Sequence, residues 1–556
     1  MTSFLLLIAL TLGDSPIRER APESPTSPTQ TLKVKDENET DQSLRQITSS
    51  QMNDFGGALK SKTINLRGSE SAEVGVDLEG VRLNSPSRGT ANFGEIDLYG
   101  LEEIQVIRGG QSFLQASPGG QIRFQLSSED RLSTRLELGS FRQWMVGQIT
   151  PSGSFSFRHT DGNFRKNNQS SLVTTRLWKR ESTYQLWGQF VFSDQSLAGS
   201  KTYLTPNDSL QSITQLAVFQ RRWNRWDFQV WSQLQNQEVF SSNVTSQNWN
   251  HFSGARAETR FQLFADSSWL HRLEWNFDYL NNNSLSESGR WTFAYASSFL
   301  FNLKPGQILQ PRLRVEYMTD LSDATSVHPG VGGKHQILEQ LNFLWNASWI
   351  SRAPTFFELY FKDPYFLSNP KLKRQKTFSG DAGLNWQGAD FNFSETFFIS
   401  KAYDLIETVV ESQTLSTVKN RGRSLTWGFE TEARAQVFKN RIQISSQYTY
   451  QQARRGNQDR VYQPRHRLQA DPEIQVVKNI KLSTPLSFRS KMLAPAFYLD
   501  RHLNWQFDLG LKIKYTVSWG RLDFQAFNLL GWNREEIKDY PLPQKPWFKI
   551  GLQRNW

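Results

Sequence analysis

The chain has no cysteine, which excludes a disulfide framework, a thiolate zinc site and a cysteine nucleophile. No apolar run reaches about 18 residues, so no helix of this sequence can span a bilayer. Histidine is sparse: there are 7, none at a catalytic spacing with serine or acid partners, and none within residues 1–158 or 353–369. A hydrolase built on Ser, His and Asn or Asp is therefore not expected. The net charge is +11. Its basic residues form no block or stripe, which argues against a nucleic-acid partner. The glycine-rich stretch "IRGGQSFLQASPGGQIRF" (107–124) lacks the Lys-Ser or Lys-Thr of a phosphate loop, because Gln121 and Ile122 follow Gly120. A strand where a helix should begin also excludes a dinucleotide fold. Its glycines are left to serve backbone geometry.

What the sequence does hold is alternation. Mean hydropathy is −0.57, yet aromatics make up 13% of the chain, with 19 Trp and 39 Phe. In "RLEWNFDYL", Leu273, Trp275, Phe277 and Tyr279 share one face, and Arg272, Glu274, Asn276 and Asp278 the other. "LTWGFETEARAQV" and "FDLGLKIKYTVSW" repeat the pattern, as does the C-terminal "WFKIGLQRNW" with Phe548, Ile550, Leu552 and Trp556 in phase. Several segments alternate for longer than the 5–6 residues typical of a soluble sandwich strand. One face is aromatic and the other charged, as in a closed barrel with lipid outside and water inside. Roughly 426 residues follow position 130, or about 19 per strand and connection if shared among 22 strands; 16 or 18 strands with longer loops also fit.

The region before 130 has a different texture. "MTSFLLLIALTLGDSP" carries a short apolar run, Phe4 to Leu12, like the core of a signal peptide over residues 1–13, although no Lys or Arg precedes it. Residues 14–35 are rich in Pro, Ser and charge and read as a flexible tether, with one β-prone island, "TLKVK", at its end. Residues 36–54 are polar, with a weak helical pattern. Short strands and turns follow in "TINLRG", "VGVDLEGVRL", "IQVIRGG" and "GQIRFQL".

Taken in order, these segments resemble the TonB-dependent outer-membrane receptor family over nearly the whole chain. "INLRG" (64–68), "VGVDLEGVRLN" (74–84) and "LEEIQVIRGGQSFLQASPGGQIRF" (101–124) are similar to its plug segments. "SRAPTFFELYF" (351–361) with "NPKLKRQKTFSGDAGLNW" (369–386) resembles a barrel signature pair. "NRGRSLTWGFETEA" (420–433), "YQPRHRL" (462–468) and "NLLGWNREEIKDYPLPQKPW" (528–547) resemble later strands. The sequence departs from the family in three places. Residues 36–60 are short, as if one plug strand were missing; Glu79 stands where an Asp is usual; and Gln115–Pro118 is abbreviated.

The resemblance implies a mainly β protein: a transmembrane antiparallel β-barrel (129–556) of 22 strands, filled by an N-terminal plug domain (36–128). It places the chain in the outer membrane of a Gram-negative bacterium, in contact with outer-membrane lipid, as a monomer without cofactor, bound metal or enzymatic activity. It makes Thr31, Leu32, Lys33, Val34 and Lys35 a TonB box, coupling to TonB and its ExbB/ExbD energy source. It makes Arg67 and Arg108 plug arginines that meet barrel carboxylates, and the alternation puts Glu430 and Glu432 on the lumen face as their partners. The ligand expected is an anionic metal chelate, a ferric siderophore. Arg82 and Arg88 of the outward plug loop suit oxyanions and carboxylates. Cobalamin or another small ligand is the alternative, as is a plugged barrel that has lost transport. Haem is disfavoured by the missing plug and loop histidines. Calcium-assisted cobalamin binding would need clustered acids, for which only Asp320 and Asp323 of "DLSD" come close.

Overall fold

The computed structural model describes residue 26, residues 29–34 and residues 40–556, apart from short stretches at 111–114, 129–130, 163–166, 201–203, 242–244, 264–266, 284, 412–414, 496–497 and 499. The expected signal peptide, most of the expected tether, and Lys35 lie outside the described residues.

From Ser133 onwards the chain forms a closed antiparallel barrel of 22 strands. The alternation sets which side each residue faces. Leu273 and Trp275 are 53% and 41% exposed on the outer wall, while Arg272, Asn276 and Asp278 are buried in the lumen. The last strand, Trp547–Asn555, pairs with the first, Ser133–Gly139, and so closes the wall. Ions line that seam inside: Arg135 holds Asp523 through two bonds of 2.9 Å and Glu137 at 2.7 Å, and Lys549 lies 3.3 Å from Glu137. Outside the seam, Phe548, Ile550 and Trp556 face lipid.

The two ends of the barrel differ. At the end carrying Ser133 and Asn555, tight turns such as 151–152, 305–306 and 518–519 join the strands. At the other end lie the longer loops, 353–374, 404–422, 490–505 and 528–546. Short turns on the periplasmic side and longer loops outside are the rule for such barrels. The loops 353–374 and 404–422 knit into one cap. Phe366–Leu367 pairs in parallel with Ser416–Thr417, and Leu359, Leu372, Ile406 and Val418 form its small core.

The plug fills the lumen. Its main sheet contains β1 (Thr29–Lys33), β4 (Val74–Leu78), β5 (Val81–Arg82), β6 (Leu101–Arg108) and β7 (Gly120–Leu126), in the order β1-β6-β7-β4-β5. Beside it, β2 (Ser50–Asp54) pairs with β3 (Lys62–Leu66). Two findings differ from expectation. The polar stretch 36–54 supplies a one-turn helix, Thr40–Arg45, and β2, so the short first half still contributes a strand. The end of the expected tether is not loose either: β1 adds antiparallel to β6, Thr29 opposite Ile107 and Lys33 opposite Glu103. Main-chain pairing and the packing of Leu32 and Val34 against the plug core offset the polar character of this island. Glu79 also finds a reason. With Gly80 it forms the β4–β5 turn at positive φ, and its carboxylate accepts the Leu126 backbone N–H at 2.8 Å.

The plug also meets the wall strand Leu204–Trp223 at a buried carboxylate. Glu95 is buried there, accepting from Asn92 at 2.9 Å and from Ser212 at 3.4 Å. Burial pushes its carboxyl from 4.5 up to about 7. The seated plug thus holds the proton more tightly than the released one. Nothing is lost below pH 4.5, and seating becomes steadily costlier as the pH rises from there towards 7, by about 3 kcal/mol at most. Glu95→Gln should therefore raise the urea midpoint of plug unfolding at pH 8 and leave it nearly unchanged at pH 4. An equal rise at both values would assign the effect to packing rather than to charge.

Candidate functional site

Charge joins plug to barrel at several places, Arg45 to Glu536 at 2.6 Å and Asp97 to Arg158 at 3.2 Å among them, and two bear on function. The first is a buried latch at the β3 and β6 ends. Arg67 follows β3 in a left-handed turn with φ of 47°, and its backbone N–H donates to Ser49 O at 3.1 Å. That turn aims its guanidinium at the wall. Nε and Nη2 donate to the two Glu430 oxygens at 2.8 and 2.7 Å, and Nη1 donates to Asp381 Oδ2 at 3.2 Å. The Phe398 ring lies 4.8 Å from the same guanidinium. Arg108, the last residue of β6, approaches Glu430 at 3.1 Å and Glu432 at 2.6 Å. Ser49 adds a hydroxyl bond to Glu430. Burial pulls the Arg67 proton affinity down, but Glu430 and Asp381 more than offset it, so the guanidinium stands above its ordinary pKa. Gly109 sits beside this group with φ of 71°; a Cβ there would come within 3.1 Å of Arg67 Nη1 and of Ser379 Oγ. The next residue, Gly110, donates to Ser379 at 3.2 Å and accepts from Ser348 at 2.7 Å. The glycine pair thus serves two needs: it turns the strand and lets bare backbone lie against the wall.

The structure brings together all four residues expected at this contact, Arg67, Arg108, Glu430 and Glu432, and adds Asp381. That third acid lies in the lumen phase of Gln375–Gln387, which was its only signal in the sequence. Glu430 and Asp381 are 1% exposed as side chains, whereas Glu432 is 22% exposed beside a periplasmic cavity of about 620 Å³.

The second place is an outer cavity of about 170 Å³ between the β4–β5 hairpin and the wall, below the cap. Eight arginines line it: Arg82 and Arg123 from the plug, and Arg256, Arg272, Arg290, Arg314, Arg352 and Arg374 from the wall and cap. Only three carboxylates do, Glu274, Asp278 and Glu316. Other acids stand behind the lining, with Asp77 3.1 Å from Arg123, Asp320 2.7 Å from Arg290 and Glu358 3.0 Å from Arg352. Glu258 likewise holds Arg272, so the lining is rich in guanidinium groups, most of them already paired with an acid.

Of the two ligand candidates, Arg82 lines this cavity, pairs with Asp278 and lies 4.3 Å from the Phe252 ring. Arg88 is exposed above it, 6.0 Å from the Phe357 ring of the cap. The backbone of Phe357 donates to Ser87 O at 3.0 Å, which ties cap to plug loop. The "DLSD" acids are engaged: Asp320 holds Arg290, and Asp323 accepts the Arg374 backbone N–H at 2.8 Å. Among the described residues no cluster of His, Cys, Asp and Glu has the form of a metal site. His328 lies buried nearby, with its Nδ1 accepting from Ser351 N–H at 3.1 Å. The TonB-box candidates Thr31, Leu32 and Lys33 lie in β1 and Val34 just beyond it. Lys33 pairs with Glu103 at 3.0 Å.

The description "TonB dependent receptor-like, beta-barrel" matches residues 78–540, and "TonB-dependent Receptor Plug Domain" matches residues 19–120. The chain belongs to the TonB-dependent receptor family. This is a family of the Gram-negative outer membrane, and this receptor is a plugged barrel of that membrane. Among curated relatives, the vitamin B12 transporter BtuB of Vibrio vulnificus (strain YJ016) is 25% identical over 250 residues, 44% of this chain and 36% of that one. The receptor spans less than two thirds of the length of the curated relatives it matches. Among solved structures, the siderophore receptor PirA from Acinetobacter baumannii superposes with a TM-score of 0.77 at 12% identity, covering 95% of this chain and 98% of that one. The copper transporter OprC reaches 0.80 at 13% identity, covering 96% and 99%. At such identities these likenesses speak for the fold alone.

Proposed function

We propose that this receptor carries out energised uptake of an anionic metal chelate, a ferric siderophore. TonB, driven by ExbB/ExbD, would pull on the β1 region after the ligand binds at the outer face. The observation that carries the reading is the outer cavity, where eight arginines face three carboxylates beneath an aromatic cap. Arginine forks hold carboxylates and other oxyanions, and rings add contact with planar donors. A cavity of about 170 Å³ takes one arm of such a chelate, and the remainder lies against the cap and Arg88. The solved siderophore receptors of the same fold are in keeping with this reading.

The curated vitamin B12 transporters favour cobalamin as the second reading. The engagement of Asp320 and Asp323 by Arg290 and Arg374 weighs against a calcium-assisted version of it. Quenching of the native tryptophans in the purified receptor separates the two. Anionic ferric chelates should bind with an affinity that falls as salt is raised, and Arg88→Glu should weaken them by about tenfold. Cobalamin binding that ignores both salt and Arg88→Glu would favour the second reading.

A further inference from the structure

Four adjacent wall strands, Gln375–Gln387, Phe391–Tyr403, Arg423–Val437 and Ile442–Arg455, carry apolar rows on their lipid side, where Phe378, Phe397, Leu425 and Ile444 are exposed. Near their outer ends the same rows carry Lys376, Lys401, Arg423 and Arg454, all exposed. The phase of each strand therefore turns a cation to the membrane surface and not into the lumen. Elsewhere in the wall the corresponding places hold acids: Glu238 continues the row of Leu234, and Glu287 that of Trp291. The basic sector is thus local and not a property of the whole rim.

Register sets the four cations in two ranks. Tyr403 lies opposite both Lys376 and Arg423, and Leu425 lies opposite both Lys401 and Arg454. One strand separates the members of each rank, so their Cα atoms are roughly 10 Å apart. Lys401 Nζ lies 5.3 Å and Arg423 Cζ 5.6 Å from the centre of the Tyr403 ring, which stacks on Trp349 at 5.8 Å. Lys376, Lys401 and Arg423 touch no carboxylate among the described residues. Arg454 lies 3.8 Å from Asp459, which also holds Arg465 at 2.8 Å. Three cations are thus gathered at the membrane surface without counter-charge from the protein.

The sector also stands at the root of the cap. Lys376 lies two residues beyond the loop 353–374, Tyr403 leads directly into the loop 404–422, and Arg423 directly follows it. Gln375, next to Lys376, accepts the Ile406 backbone N–H of the second loop at 3.4 Å.

We propose that Lys376, Lys401, Arg423 and Arg454 bind the phosphorylated head group of a glycolipid of the outer leaflet, and that the bound lipid steadies the cap. Phosphate oxygens supply the missing counter-charge, met by arginine forks and lysine ammonium groups from both ranks. The apolar rows directly below make the occupant a lipid, whose acyl chains lie along Phe378, Phe397 and Leu425. A head group that spans the two ranks ties together the strand ends from which both cap loops spring. Binding and cap order then support each other, since linkage runs both ways.

Native mass spectrometry of the full-length receptor, freed of lipid in detergent and then given diphosphorylated lipid A, reads the site. The parent should retain the lipid, and Lys376→Gln combined with Lys401→Gln and Arg423→Gln should weaken retention by about tenfold or more. Glu238→Gln with Glu287→Gln should leave it unchanged. Lipid A stripped of its phosphates should bind the parent no better than the phosphorylated lipid binds the triple variant. Equal retention by parent and triple variant, or of the stripped and phosphorylated lipids by the parent, would overturn the site. The absence of cysteine allows a single nitroxide on the exposed cap residue Tyr365, through Tyr365→Cys. Lipid A should slow this label in the parent background and not in the triple variant. Motion that stays unchanged while lipid is retained would overturn the link to the cap. Neither chelate nor TonB is present in these measurements, so their outcome is separate from the uptake reading.

Discussion

Arg67→Ala should turn the receptor into a leaky barrel, and by more than Arg108→Ala does. Arg67 satisfies both Glu430 oxygens and one of Asp381, all fully out of water. Removing it takes from Glu430 its two-pronged partner, leaving Arg108 and Ser49 to hold it, and takes a guanidinium from Asp381. Breaking one partner out of a buried pair costs about 3–5 kcal/mol, far more than the net value of the intact pair. Arg108 shares Glu430 but spends its second contact on Glu432, which borders the periplasmic cavity, and solvent there screens the loss. Single-channel recordings should show frequent openings in Arg67→Ala, fewer in Arg108→Ala, and almost none in the parent. Glu430→Gln combined with Arg67→Ala should not add to Arg67→Ala alone, since both act on one contact. Strictly additive openings would show that the arginine and the glutamate act separately, and silence in every variant would leave apolar packing as the seat of the plug.

Leu32→Pro should abolish uptake while leaving ligand binding at the outer face intact. Leu32 lies in β1 opposite Ile104 and packs on the plug core. Proline there removes a backbone donor and bends the strand, whether that strand is paired with β6 or with an incoming strand of TonB. The outer cavity is formed by other elements and should keep its affinity. Transport of labelled chelate into cells should fall by at least tenfold, with surface binding unchanged. Normal transport by this variant would place the coupling segment elsewhere.

Much of this architecture is legible in the sequence because a barrel wall has period two. The phase of "LTWGFETEA" alone sends Glu430 and Glu432 inward, and the phase of "RLEWNFDYL" sends Arg272 and Asp278 the same way. What phase cannot supply is height. Asp381 meets Arg67, and six wall and cap arginines meet in one cavity, because of the stagger between neighbouring strands, which no single strand encodes. The docking of β1 is hidden for another reason. A polar five-residue segment reads alike whether it is tethered in water or paired along its backbone, since main-chain hydrogen bonds are blind to side chains. Arg82 and Arg88 were legible as cations of one outward loop. Only the fold shows that the first is already held by Asp278 while the second stands free of any carboxylate contact among the described residues, beside Phe357.

The proposed uptake of an anionic metal chelate by this plugged barrel draws its energy through TonB. Its most direct measurement is accumulation of radiolabelled ferric siderophores, offered singly, and of cobalamin, by receptor-deficient cells that express this chain in the presence and absence of TonB. At least one anionic ferric siderophore should accumulate, only when TonB is present, and cobalamin should not. Accumulation that persists without TonB, or none of any siderophore in its presence, would contradict the proposed uptake.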